Sequence, residues 1–77
     1  MPLVFRIGNA KIYINASDHL PMHVHIRYKN GEKEAPITTD GILLSNTGWS
    51  GQDIRRFIAF ITQQREYLEG VWNEYQK

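Results

Sequence analysis

The sequence predicts an α+β fold, in which an antiparallel β-meander of four to five strands precedes one long C-terminal α-helix packed on one face of the sheet. Up to residue 46, apolar and polar residues alternate in short runs separated by turn dipeptides, which is typical of antiparallel strands. From residue 50, apolar residues recur at steps of three and four, which is typical of a helix. We therefore expect a single domain over residues 1–77, with the meander at 1–46 and the helix at 50–76.

The turn signals divide the first part of the chain into strands. Gly8-Asn9 and Asn30-Gly31 are two-residue hairpin turns, and the second favours a type I′ turn with positive φ at both residues. Pro36 lacks a backbone donor, so the fourth strand is expected at the edge of the sheet or broken at this residue. The predicted strands cover residues 4–7, 10–15, 23–28 and 34–38, with a short fifth strand at 42–45.

Ser50 is the predicted N-cap of the helix, because Asp53 follows it at the acidic position of a capping box. A straight helix of about 25 residues would be about 38 Å long, whereas the strands together would span only about 20 Å. The helix should therefore overhang the sheet unless it bends, and Gly70 is a candidate for such a bend. Three further apolar side chains widen the apolar sector of the helix, namely Phe60, Tyr67 and Val71. Either they belong to a broad core stripe, or they form a partner interface at the overhang, and we predict them as the interface residues.

Composition excludes several classes of protein. The chain has 77 residues, no cysteine and a formal net charge of +1, so neither a disulfide nor a thiolate metal site stabilises it. No apolar run is long enough to cross a membrane, and the first residues do not resemble a signal peptide. We expect a cytoplasmic protein. A domain this small has a limited core, so a homo-oligomer or a protein partner is expected.

The hairpin registers sort the side chains onto two faces of the sheet. The face expected to meet the helix holds Phe5, Ile7, Ile12, Ile14, Val24, Ile26, Ala35 and Ile37. The opposite, polar face is expected to hold Arg6, Lys11, Tyr13, His23, His25 and Arg27. We predict that these six residues bind an anionic ligand, which would be a phosphate, a nucleotide or a carboxylate.

Charge pairing distinguishes two kinds of basic residue on the polar face. Arg27 is expected opposite Glu34, which makes an ordinary cross-strand pair with a structural role. Arg6 is expected opposite Lys11, and like charges in that position are unfavourable. Either these two side chains splay into solvent, or an anion or an acidic partner group lies between them.

All three histidines of the chain lie in the stretch Asp18-His19-Leu20-Pro21-Met22-His23-Val24-His25. His23 and His25 flank one residue, so on a strand they point the same way. Together with His19 or Asp18 they could bind a divalent metal such as zinc, and we predict His19, His23 and His25 as its ligands. The pair could also act as acid and base on a phosphodiester, help to bind an anion, a nucleic-acid backbone or a protein, or be structural.

Several segments of the sequence resemble the small bacterial family known as domain of unknown function 4160. These segments are Phe5-Arg6-Ile7-Gly8, Lys11-Ile12-Tyr13-Ile14, the histidine stretch, and a C-terminal helix ending near a tryptophan. Members of the family usually have Pro-Pro-His where this chain has Pro21-Met22-His23. The resemblance implies a small bacterial or phage-type cytoplasmic protein that works with a partner, in gene pairs that look like toxin–antitoxin systems. It implies no reaction.

These observations lead to one function and one alternative. We expect a small non-enzymatic binding or regulatory module, in the form of a component of a toxin–antitoxin-like pair, whose polar sheet face takes an anionic ligand, a nucleic acid or a protein partner. The alternative is a metal- or histidine-dependent hydrolase acting on a nucleotide or on RNA.

Overall fold

The structure, a computed structural model, describes residues 3–15 and 19–76. These residues form one four-stranded antiparallel sheet with the strand order β1-β2-β3-β4, followed by two helices. The α+β class and the meander predicted from the sequence are confirmed. The elements are β1 (Leu3–Ile7), β2 (Ala10–Tyr13), β3 (His23–Tyr28), β4 (Lys33–Thr38), α1 (Gly51–Gln63) and α2 (Arg65–Tyr75).

Both hairpins have the predicted register. The pairs that confirm it are Phe5 with Ile12, Arg6 with Lys11, Ile26 with Ala35, and Arg27 with Glu34. The predicted type I′ turn at Asn30-Gly31 is wrong, because the positive φ angles fall on Lys29 (55°) and Gly31 (91°). The loop is therefore longer than a two-residue turn, but it joins the strands in the same register.

The core lies between one face of the sheet and the two helices. Six of the eight predicted core residues of the sheet are fully buried, whereas Phe5 and Ile7, both in the edge strand β1, are only partly buried. A side chain on an edge strand has a neighbouring strand on one side only, which explains the difference. The fully or nearly fully buried apolar residues of the helices are Ile54, Phe57, Ile61, Leu68 and Trp72.

The predicted single helix over 50–76 is wrong, because the helix is interrupted at Gln64, where φ is −101° and ψ is 17°. Next to this point the Thr62 hydroxyl donates to the carbonyls of Ile58 and Ala59, at 2.9 and 3.1 Å, and such bonds tend to bend helices. The interruption lies at Gln64 and not at Gly70, which is inside α2.

Because of the interruption, both α1 and α2 pack against the sheet, and the helical segment does not extend past it. Ile61 before it and Leu68 after it are both fully buried. The longest dimension of the molecule is 33 Å, shorter than the roughly 38 Å of a straight helix over the same residues. Ser50 is the N-cap of α1 as predicted, since its hydroxyl accepts from the Asp53 backbone N–H at 3.1 Å.

The predicted fifth strand at 42–45 does not form. Instead, two isolated bridges connect the segment to the outer edge of β4, Ile37 with Leu43 and Glu34 with Thr47. The Leu44 amide donates to the Pro36 carbonyl at 2.9 Å, but Pro36 has no N–H to return the bond. The ladder therefore cannot continue, and β4 is the edge strand that Pro36 predicted.

No helix within the described residues is long and apolar enough to span a membrane.

Candidate functional site

The cross-strand register aligns three basic side chains on the face of the sheet that points away from the helices. Arg6 on β1 pairs with Lys11 on β2, and Lys11 pairs with Arg27 on β3. The alternate residues Ile12 and Ile26 are fully buried on the other face, which fixes the orientation of these strands. We call Arg6, Lys11 and Arg27 the basic row.

Arg27 is the member of the basic row that has an internal partner. Its Nε donates to Glu34 Oε1 at 2.7 Å, and its guanidinium carbon lies 5.9 Å from the centre of the Tyr13 ring. The second oxygen of Glu34 lies 3.6 Å from His25 Nδ1. The cross-strand pair of Arg27 with Glu34 is thus confirmed, and Glu34 also contacts a histidine.

Arg6 and Lys11 lie opposite each other, as predicted. Arg6 is exposed and Lys11 is half-buried. Among residues 3–15 and 19–76, no carboxylate is within ion-pair distance of either side chain. Like charges on directly opposed residues repel each other, so this end of the basic row attracts negative charge.

His23 does not lie on an open face, and this part of the prediction is wrong. Only 3% of the residue is exposed, and its ring centre lies 5.3 Å from that of Trp72 in α2. Its Nδ1 donates to the Pro21 carbonyl at 2.7 Å. The end of α2 reaches the start of β3, where it covers a side chain that strand alternation alone assigns to the polar face.

The three histidines are nevertheless neighbours. The ring centres of His23 and His25 are 4.9 Å apart, and those of His19 and His23 are 5.7 Å apart. His19 is exposed, whereas His25 is half-buried. In the part of the chain that the structure describes, no group of three or more histidine, cysteine or acidic residues is arranged to bind a metal ion. Asp18 lies outside that part, so the proposed metal site stays a prediction.

The predicted partner interface is divided by the fold. Phe60 and Val71 are half-buried and pack against the core, whereas Tyr67 is 57% exposed. Phe5 of β1 contacts Phe60 and Tyr67 edge-on, with ring centres 5.0 and 5.6 Å away. The interface stays a prediction, and Tyr67 is the member that offers the most accessible surface.

The sequence reasoning missed a polar cluster where the loop after β4 meets α2. The Thr39 hydroxyl donates to Glu69 Oε2 at 3.0 Å, and Arg65 Nε donates to the same oxygen at 2.9 Å. The bond from Arg65, followed by that from Thr39, lowers the pKa of the Glu69 carboxyl. The i,i+4 spacing of Arg65 and Glu69 was visible in the sequence, but the contact with Thr39 depends on the loop.

The sequence reasoning also missed two members of the polar face. Leu3 pairs with Tyr13, and Pro36 pairs with His25, so each lies beside a residue that was predicted for the polar face. A β-bulge between Leu3 and Phe5 shifts the register of β1 by one residue. Regular pairing would have put Val4 opposite Tyr13, and no turn residue marked the shift.

The fold and the polar face of the sheet define the class of protein: a small α+β domain that carries the basic row across an antiparallel sheet. The chain belongs to the family described as Domain of unknown function (DUF4160), whose model matches residues 9–73. No curated protein matches the chain. No solved structure matches it either.

Proposed function

We propose that this protein is a small non-enzymatic binding module whose basic row takes an anionic partner. The observation that carries the proposal is the direct opposition of Arg6 and Lys11 with no described carboxylate within ion-pair distance of either. A negatively charged group between the two side chains would replace their repulsion by attraction. A role as one component of a toxin–antitoxin-like pair is compatible with this function, since such a component must bind something.

The accessibility of the side chains favours binding over acid–base catalysis. A pair of catalytic histidines must reach the reacting atoms, but His23 is 3% exposed and packed against Trp72. The basic row lies on the surface, where a large ligand can approach it. Glu34 on β4 lies next to Arg27, at one end of the basic row. Its carboxylate accepts a hydrogen bond from Arg27, so its negative charge is paired with that cation.

The alternative, a metal- or histidine-dependent hydrolase acting on a nucleotide or on RNA, has one observation in its favour. The rings of His19, His23 and His25 form a continuous chain of contacts, and His25 is on the same face as the basic row. If both a nucleoside triphosphate and an RNA strand remain intact after incubation with the protein, with and without added zinc, the result contradicts this alternative.

The proposal is tested by titrating the protein with linear polyphosphate, which offers negative charge and no other chemistry. We expect the double variant Arg6→Ala, Lys11→Ala to bind at least about tenfold more weakly at about 50 mM salt, with a shallower dependence on salt. Arg55→Ala, which removes an exposed cation from α1, is the matched control and should bind like the wild-type protein. Equal losses in the double variant and the control would mean that the basic row is not the site.

A further inference from the structure

A second row of side chains runs beside the basic row on the same face of the sheet. Its members are cross-strand neighbours, Leu3 with Tyr13, Tyr13 with His25, and His25 with Pro36. Tyr13 is two residues beyond Lys11 on β2, so the two rows are about 7 Å apart. We call Leu3, Tyr13, His25 and Pro36 the ring row, because three of its four side chains are cyclic.

The ring row offers an apolar surface that is not part of the core. Leu3 is 41% exposed, and Tyr13, His25 and Pro36 are half-buried. The Arg27 guanidinium carbon lies 5.9 Å from the centre of the Tyr13 ring, so one cation of the basic row approaches a ring of the second row. Negative charge and a flat apolar group would therefore find complementary surfaces next to each other.

The spacing of the two rows restricts the class of ligand. A single-stranded nucleic acid carries phosphates along one side and unpaired bases along the other, and proteins bind it by combining basic grooves with aromatic side chains. A duplex hides the faces of its bases, and an acidic peptide has no flat group to match each charge. The pairing of a basic row with a ring row thus fits a single strand better than it fits either of these.

We infer that the sheet face binds single-stranded nucleic acid, with phosphates along Arg6, Lys11 and Arg27 and a base against Tyr13. This inference rests on the proposed function and specifies its ligand. The basic row supplies attraction that is independent of sequence and is weakened by salt. The ring row supplies stacking, which requires a base but tolerates any of the four. RNA and DNA share both features, so the inference covers both.

The experiment measures fluorescence anisotropy of short labelled single strands of RNA and of DNA with the same sequence, a strand of the same length without bases, and the matching duplex. We expect the wild-type protein to bind at least one of the strands that carry bases about tenfold more tightly than the strand without bases, and more tightly than the duplex. Equal binding of the strands with and without bases overturns the inference, and this comparison needs no variant that could fail to fold.

Variants of Tyr13 locate the stacking surface. Tyr13→Ala should weaken binding of the single strand about tenfold while leaving polyphosphate binding within about twofold, and Tyr13→Phe should bind like the wild-type protein. Tyr75→Ala removes another partly exposed tyrosine, in α2, and is the control. Thermal unfolding of each variant verifies that it is folded.

The outcomes separate the inference from the function on which it rests. Polyphosphate binding that depends on the basic row, without any preference for bases, leaves the proposed function intact and overturns the inference. Loss of binding to both polyphosphate and nucleic acid overturns both. Binding of an acidic polypeptide such as poly-glutamate as tightly as the single strand also overturns the inference, in favour of a protein ligand.

Discussion

His23 and His25 have different environments although they lie two residues apart on β3. His25 remains on the polar face near Glu34, whereas His23 is covered by Trp72 from α2. The alternation of a strand determines on which side of the sheet a residue lies, but not which other element reaches that side. The histidine motif therefore contributes one residue to the candidate site and one to the packing of the sheet against α2.

The Glu69 carboxyl makes the stability of the fold depend on pH in the acidic range. Its pKa is lowered, chiefly by the hydrogen bond from Arg65 and next by that from Thr39. A carboxyl whose pKa is lower in the folded state stabilises the fold above its unfolded-state pKa of about 4.3 and loses that contribution as the pH falls through the folded-state pKa. The stabilisation should therefore be present at neutral pH and absent in strong acid.

We predict that Glu69→Gln lowers the melting temperature at pH 7 and that the difference from the wild-type protein disappears as the pH falls below about 4. Glutamine keeps the acceptor oxygen and removes the charge. Thermal unfolding over a series of pH values measures the effect, with Glu66→Gln on the same helix as the control. A difference that is the same at every pH would show that the charge of Glu69 contributes nothing.

At the level of single residues, the sequence predicted contacts that depend on register and missed those that depend on loops. Two cross-strand pairs follow from the turn positions alone, and the structure contains both: Arg6 with Lys11, and Arg27 with Glu34. The contact of Thr39 with Glu69 joins residues 30 positions apart, so no local pattern could indicate it.

Among the elements, the loop after β4 and the interruption of the helix meet at Gly41. Gly41 has a φ of +93°, and a Cβ atom there would lie 2.9 Å from Thr62 Cγ2 and 3.3 Å from Ile58 Cγ2. The loop thus packs against the last turns of α1, close to the interruption. Gly70 differs from Gly41 in backbone conformation and in surroundings. Its φ is not positive, and a Cβ atom added there would have no neighbouring atom within 4 Å.

We predict opposite effects for two glycine substitutions. Gly41→Ala should destabilise the protein by about 1–3 kcal/mol, because it combines backbone strain with a steric clash. Gly70→Ala should stabilise it by about 0.5–1 kcal/mol, because alanine restricts the unfolded chain and fits the helix. Chemical denaturation measures both. A destabilising Gly70→Ala would mean that Gly70 does have a conformational role in α2.

The limits of sequence-based prediction for the elements have physical causes. The strands and their order followed from turn residues, and the N-cap followed from Ser50 and Asp53. The interruption of the helix at Gln64 could not be predicted in this way, because no glycine or proline marks it. Its position depends on how α1 and α2 each pack against the sheet. The fifth strand predicted at residues 42–45 does not form, because Pro36 on the facing strand has no N–H for the second hydrogen bond.

At the scale of the whole molecule, the two faces of the sheet differ in what they contact. One face packs against both helices and forms the core, and the other carries the basic row and the ring row. Three residues of the polar face departed from the sequence-based prediction: His23 is buried, the bulge brings Leu3 into the face, and Pro36 lies beside His25. A bulge and the path of a helix end are both set by tertiary packing, which the alternation of residues does not encode.

The central claim is that the protein binds anions on the sheet face that carries Arg6, Lys11 and Arg27. The most direct measurement is a titration of the isotope-labelled protein with linear polyphosphate, followed by the backbone amide signals in two-dimensional NMR spectra. The claim predicts that the largest shifts occur in β1, β2 and β3 around these residues, and that they diminish as salt is added. Shifts confined to α1 and α2, or no shifts at low salt, would contradict it.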